Sequence, residues 1–347
     1  MKKVLITGSG GLVGSEAVKF FCELGFEVMG IDNDSRGYFF GKNGSTKQIT
    51  EFLLGKYKGF SSFDFDIREN DNLKSLFKEN KFDLIIHAAS QPSHDWAAKE
   101  PITDFTINAV GTLYLLENFR LYNSQAVFIF VSTNKVYGAR PNSLPFVELE
   151  NRYEINPGHS LYDGINETMS IDNTLHSLMG ASKTAADILT QEYGKYFNLQ
   201  TGIFRAGCIT GPAHRGTEEH GFLNYLVKCI LNKKRYTIFG YKGKQVRDNI
   251  HVSDLINAFY YFYQSPHLGE VYNIGGGRYS NCSLLEAITM IENLLGHKAE
   301  YDYMDKPRLG DHIWYISDYS KFKDHYPKWE IKHDLKSIID EIIQTQI

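Results

Sequence analysis

The sequence predicts a doubly wound α/β fold, a parallel sheet covered by helices on both faces, with a smaller lobe toward the C-terminus. Three observations predict it. Short apolar runs alternate with longer helical patterns through the first 205 residues. A Gly-rich turn joins the first run to the first helix, and after Arg205 the alternation loosens into Gly-, His- and Lys-rich chain.

Taken in order, the strand-like runs are 4–7, 27–31, 63–66, 84–87, 127–132 and 201–205. They are rich in Ile, Val or Phe and lack clean alternation, the pattern of parallel strands buried on both faces. Helix-like stretches at 15–24, 72–79, 108–122 and 182–197 separate them. Such βαβ alternation closes into a parallel sheet through crossover helices. Beyond Arg205 the pattern predicts a helix at 222–231, a strand at 271–274 running into three glycines, and helices at 284–295 and 335–344. The expected division is a domain at 1–205, with a returning segment near 249–274, and a lobe at 206–347.

Bulk properties exclude several classes. The chain of 347 residues is 42% hydrophobic and 14% aromatic, enough for a large core. Its formal charge of −4 and the absence of a long basic run exclude nucleic-acid and membrane-surface roles. No apolar span is long enough to cross a bilayer. The apolar start at 3–6 meets a glycine turn at once, so it reads as a strand rather than a secretion signal. Cys22, Cys208, Cys229 and Cys282 show no paired or metal-type spacing, so no metal site and a reducing, cytoplasmic setting are expected.

The turn itself, Thr7-Gly8-Ser9-Gly10-Gly11-Leu12-Val13-Gly14, carries the first chemistry. Glycines at Gly8, Gly11 and Gly14 let the backbone turn tightly and approach a pyrophosphate at the helix N-terminus, where Leu12 and Val13 begin the helix. Asp32 closes the second strand, placed with Asn33 for an adenosine ribose. A carboxylate there repels a 2′-phosphate, so NAD is expected rather than NADP.

Together these residues resemble the extended short-chain dehydrogenase/reductase family, over nearly the whole chain. The resemblance implies a Rossmann-type NAD-binding domain and a C-terminal lobe that binds a nucleotide sugar. It places Asp66 and Ile67 at the adenine, and His87-Ala88-Ala89 in the loop after the fourth strand. It assigns Asn108, Ser132 and Lys183 to the cofactor side. In Gln245-Val246-Arg247-Asp248 and Arg308-Leu309-Gly310-Asp311, Arg247 and Arg308 are expected to hold the substrate's diphosphate by charge-assisted hydrogen bonds. His94, Thr133 and Asn134 complete the expected substrate contacts. The helices at 108–122 and 182–197 are the pair through which the family forms homodimers or homotetramers.

Within the family the run Ser132-Thr133-Asn134-Lys135 is the sharpest discriminator. Family 4,6-dehydratases carry Asp-Glu after the threonine, one group to protonate a leaving hydroxyl and one to remove a carbon-bound proton. Asn134 and Lys135 do not supply that pair. The run is instead similar to that of the 2-epimerases of CDP-linked 3,6-dideoxyhexoses, as are Gly164-Ile165-Asn166-Glu167 and the segment from Gly240 to Asp248. This implies epimerisation at C2 through a transient 2-ketose, with a CDP-sugar favoured as substrate.

One residue departs from the family pattern. Met179 stands four positions before Lys183, where the family has a proton-transferring tyrosine. A thioether carries no exchangeable proton. Thr133, Lys183 and Lys135 are therefore the expected catalytic groups, followed by His176, His94, Asp95 and Glu167. Two other readings stay open at this point, a different nucleotide-sugar 4-epimerase or dehydrogenase, and a non-catalytic NAD-binding sensor.

Overall fold

The computed structural model describes residues 1–218 and 220–346, which divide into two compact units. The first comprises Met1–Val136, Leu178–Arg205 and Ile256–Tyr272. Its frame is a seven-stranded parallel sheet flanked by helices. In chain order the strands are β1 (Lys3–Thr7), β2 (Glu27–Ile31), β3 (Phe60–Phe63), β4 (Leu84–His87), β5 (Val127–Thr133), β6 (Thr201–Ala206) and β7 (Glu270–Ile274). In space they run β7-β6-β5-β4-β1-β2-β3. The winding reverses between β1 and β4, and ligands in such folds bind outside the carboxyl ends at that point.

Burial explains why these runs are strands. Every residue of β4 and β6 is buried, and covering both faces of an aliphatic run stabilises by about 1.5–3 kcal/mol per large side chain. The helix Leu12–Glu23 buries Gly14, Ala17, Val18 and Phe21, one helical stripe turned to the sheet.

Several expected elements shift, and three bear on the site. The third strand, expected at 63–66, is Phe60–Phe63 and pairs in register with Val28–Ile31. It ends there because Asp66 turns the chain, its carboxylate accepting the Arg68 N–H at 2.8 Å. The helix expected at 182–197 begins at Leu178, which puts Met179 and Lys183 on one face, a turn apart. The helix expected at 108–122 is Gly111–Tyr122, preceded by a helical turn Pro101–Phe105 and a π-turn Thr106–Val110.

The second unit comprises Tyr137–Ser177, Ala206–Leu255 and Asn273–Ile347. Residues 137–177, expected within the first domain, cluster here because Ile165 bridges Ser317 and Tyr153 N–H donates to the Lys244 carbonyl. The segment returning to the first unit is 256–272 rather than 249–274. At its centre Val246–His251 pairs with Cys208–Thr210, Asn281–Ser283 and Trp314–Tyr315. A separate apolar cluster joins the helices Phe222–Leu231, Leu284–Leu295 and Leu335–Gln346. Among the described residues no helix is long and apolar enough to cross a membrane.

Candidate functional site

The turn after β1 is shaped by steric necessity. Gly8 has φ +70°, and a Cβ there would lie 2.8 Å from the Ala89 amide nitrogen. A Cβ on Gly14 would lie 2.0 Å from the Gly8 carbonyl oxygen. Glycine alone fits both places, so the turn closes tightly onto the start of its helix. Gly11 caps that helix with no side-chain hydrogen bond, which leaves the N–H groups of Leu12, Val13 and Gly14 and the helix dipole available to a pyrophosphate.

Asp32 sits just past β2. Its Oδ2 accepts the Gly10 N–H at 2.8 Å, and its Oδ1 accepts the Asp34 N–H and the Thr46 hydroxyl at 2.9 Å. Asn33 donates to Asp66 at 2.9 Å. Burial works against the Asp66 anion, but hydrogen bonds from Arg68 outweigh it and hold this carboxyl below its ordinary range. Buried Ile67 packs where Gly111 has no side chain. A cradle that a Cβ fills, an uncapped helix start and a carboxylate beyond β2 fit the adenosine diphosphate end of NAD.

A buried polar network holds the next part of the site. Asn108 lies in the π-turn, a feature that often marks functional positions. Its side-chain oxygen accepts the Gln91 N–H at 2.9 Å, and its Nδ2 reaches the Gln91 carbonyl, Asp104 and the Ser182 hydroxyl at 3.0–3.1 Å. Gln91 also donates to Asp104 and accepts the Ser93 N–H. This network ties the 91–94 loop to the helix that carries Met179 and Lys183. His94 opens the short helix His94–Lys99, capped by Ser93, which packs on that same helix.

Beside it, His87 links Thr7 (2.7 Å) and Thr112 (2.9 Å). The Thr112 hydroxyl donates to the Asn108 carbonyl at 2.6 Å, so it accepts from His87 Nε2–H and Nδ1 accepts from Thr7. Burial, then the nearby Lys183 charge, pushes His87 down to about 3. It is a neutral strut, not a proton carrier. The Thr7 hydroxyl also receives the Ala89 N–H, which places Ala88 and Ala89 against the glycine turn.

Lys183 is the strongest chemical group in this unit. Its Nζ donates to the Val131 carbonyl at 2.8 Å and lies 4.2 Å from the Phe130 ring centre. Burial lowers its pKa to about 8, against the opposing pull of Asp187 and Asp104. At neutral pH a useful fraction is therefore unprotonated. Met179 is buried one turn earlier and its carbonyl accepts from Ser182. Thr133, at the end of β5, is half-buried and accepts the Lys135 N–H at 3.2 Å. Asn134 is buried, Lys135 half-buried and Asp95 exposed. Ser132 donates instead to Asp187 at 2.5 Å, which in turn takes a bidentate bond from Arg205.

The second unit holds the remaining expected residues. Arg247 is buried and donates to Asp311, the His312 carbonyl and the Val246 carbonyl. Arg308 is partly exposed, lies 4.1 Å from the Phe239 ring centre and donates to the Glu218 carbonyl. The Asp311 N–H bonds the Arg308 carbonyl, so one turn connects the two arginines. Glu167 is engaged by the Asn273 N–H, and His176 packs beside Gly138. Neither falls in the unit that carries Met179 and Lys183.

Sequence reasoning missed Gln91, Asp104, Asp187 and Arg205. Each is a buried polar residue with a partner that only the fold brings to it, so spacing carries no signal of its role.

Comparison with known proteins agrees with this geometry. The NAD dependent epimerase/dehydratase family matches residues 4–275. A CDP-paratose 2-epimerase of Salmonella typhi is 31% identical, covering 97% of this chain and 98% of its own length. A UDP-glucose 4-epimerase of Pisum sativum is 29% identical over 86% of this chain and 82% of its own. Among solved structures, a Thermus thermophilus UDP-glucose 4-epimerase in complex with NAD superposes with TM-score 0.80 at 24% identity, covering 99% of this chain and 98% of the other, a likeness of fold. The chain belongs to the NAD dependent epimerase/dehydratase family, an enzyme of the extended short-chain dehydrogenase/reductase group that uses NAD.

Proposed function

We propose that this chain inverts C2 of a CDP-linked 3,6-dideoxyhexose, interconverting CDP-paratose and CDP-tyvelose. The observation that carries the reading is the full-length similarity to a CDP-paratose 2-epimerase, joined to Asn134 and Lys135 in place of the dehydratase acid pair. NAD bound in the glycine turn supplies reversible hydride acceptance from a sugar carbon. The protein's own task is to take the C2 hydroxyl proton as the 2-ketose forms, to hold the ketose while its other face turns toward the returning hydride, and to give the proton back to the oxygen. Lys183, whose pKa burial lowers to about 8, or Lys135 handles that proton through the Thr133 hydroxyl. Arg247 and Arg308 hold the diphosphate, and His94 and Asn134 contact the sugar. A second reading, NAD binding without turnover, rests on Met179.

Incubation with NAD and CDP-paratose, CDP-tyvelose, UDP-glucose or UDP-galactose, followed by NMR of the sugar ring protons, separates these readings. Inversion at C2 of the CDP-sugar is the expected result. Inversion of a UDP-sugar at C4 makes the chain a 4-epimerase, and tight NAD binding with no conversion makes it a sensor. We place the protein in the cytoplasm, in keeping with Cys22, Cys208, Cys229 and Cys282 standing outside any disulfide. We also propose self-association through the helices Gly111–Tyr122 and Leu178–Phe197, which expose Leu121, Ile188, Tyr196 and Phe197.

A further inference from the structure

The sequence carries no metal-type spacing, yet the second unit brings three metal-ligating side chains together. His251 ends the strand Val246–His251, His333 precedes the helix Leu335–Gln346, and Glu341 lies on that helix. One ligand atom from each falls within 4.8 Å of the other two. His251 Nε2 lies 3.0 Å from a Glu341 carboxylate oxygen, and the two imidazole rings are 4.1 Å apart between centres.

The surroundings make this a built site rather than a chance meeting of surface groups. The His251 side chain is almost wholly buried. Its Nδ1 is 2.6 Å from the Ser253 hydroxyl and also takes the Ser253 N–H at 3.2 Å, which directs Nε2 toward Glu341. An outer hydrogen bond on the second ring nitrogen is the usual support of a ligating histidine. The chain at His333 is also anchored, since one Asp254 carboxylate oxygen accepts the N–H groups of Lys332 and His333 at 3.1 and 3.0 Å. Asp254 adds negative charge beside the cluster. The Glu341 side chain is 41% exposed, which leaves a path from solvent.

We propose that His251, His333 and Glu341 bind one divalent transition-metal ion of the zinc type, clamping the C-terminal helix to the end of the central strand. Two imidazole nitrogens and one carboxylate are a borderline-soft donor set that suits Zn²⁺ over Mg²⁺ or Ca²⁺. Donors on a tetrahedral ion lie about 3.3–3.5 Å apart, given bond lengths near 2.0–2.1 Å. The His251–Glu341 separation is already close to that, and the His333 ligand atom, within 4.8 Å of both, has to close the rest of the gap. With metal bound, His251 Nδ1–H donates to Ser253. Without it, Nδ1 accepts the Ser253 N–H and Nε2 stands 3.0 Å from the Glu341 carboxylate.

The test uses the full-length, untagged protein stripped with a chelator, then titrated with ZnCl₂ or MgCl₂ by calorimetry and by thermal melting. One Zn²⁺ per chain is expected, with a rise in Tm of about 3 °C or more at a hundredfold excess over Kd. MgCl₂ is expected to do nothing. His333→Ala and Glu341→Gln should lose the zinc response while NAD still binds, and His214→Ala, at another histidine pair, should keep it. Absence of stoichiometric zinc binding at micromolar concentrations overturns the proposal. So does equal binding by His333→Ala and Glu341→Gln.

Discussion

The polar groups of the two units are committed in opposite ways. Around the glycine turn of the first unit they are locked in neutral, buried hydrogen bonds, Thr7–His87–Thr112 and Gln91–Asn108–Ser182, with one proton arrangement each. In the second unit the arginines expected to meet a diphosphate are already engaged, Arg247 by Asp311 and Arg308 by Glu218. A cofactor that stays bound through a cycle of no net redox change suits a rigid, preformed seat. A charged substrate that must enter and leave suits cations whose present partners it can replace. The comparison teaches where binding strength should be steric and where it should depend on salt.

Four measurements break or sharpen this contrast. The largest effect on cofactor binding is expected from Gly14→Val, whose side chain has no room beside the Gly8 carbonyl. NAD affinity, read by fluorescence titration, should fall by about 100-fold or more if the protein folds at all. Affinity near wild type would show that the seat is not rigid.

Next comes the proton path. Lys183→Met should lower kcat by about 10³-fold, within the range that a positioned acid or base contributes. Met179→Leu, which removes no proton carrier, should leave kcat within about twofold. Wild-type activity should rise with pH toward about 8, as Lys183 loses its proton. A flat profile would remove Lys183 from the role of base.

Stability supplies the third. Burial raises the Asp248 carboxyl from 3.8 to about 6, although hydrogen bonds from Ser317 and Gly277 oppose it. The folded state thus holds this proton more tightly than the unfolded chain. The benefit is fully present below pH 3.8 and is lost as pH rises through about 6, at a cost of up to about 3 kcal/mol. Melting curves of wild type and Asp248→Asn across that window should diverge in slope. Parallel curves would count against the buried carboxyl.

The smallest effects separate the two arginines. Arg247→Met should raise KM for the nucleotide sugar by about 30-fold, as expected for a buried charge-assisted contact. Arg308→Met, at a partly exposed site, should raise it by about threefold and lose that effect in high salt. Equal losses would mean that the burial of Arg247 gives it no advantage.

How much of this was legible in the sequence varies from one element to the next. The runs at 27–31 and 84–87 and the helices at 222–231 and 284–295 were read to the residue, because burial on two faces or one stripe leaves a composition pattern. The strand expected at 63–66 slipped because Asp66 belongs to a turn that only its hydrogen bond to Arg68 reveals. Gly8 and Gly14, where a Cβ has no room, stood out because one short stretch of chain builds that turn. Ser132 was read toward the cofactor, yet its hydroxyl is taken by Asp187, a helix away.

By itself the sequence determined the fold class and the use of NAD, since both rest on the alternation of local elements and on one Gly-rich turn. Tertiary structure alone decided that Lys183 sits at about 8, that His87 is a neutral strut, and that His251, His333 and Glu341 meet. Those facts depend on burial and on partners distant along the chain, and neither is written in local spacing.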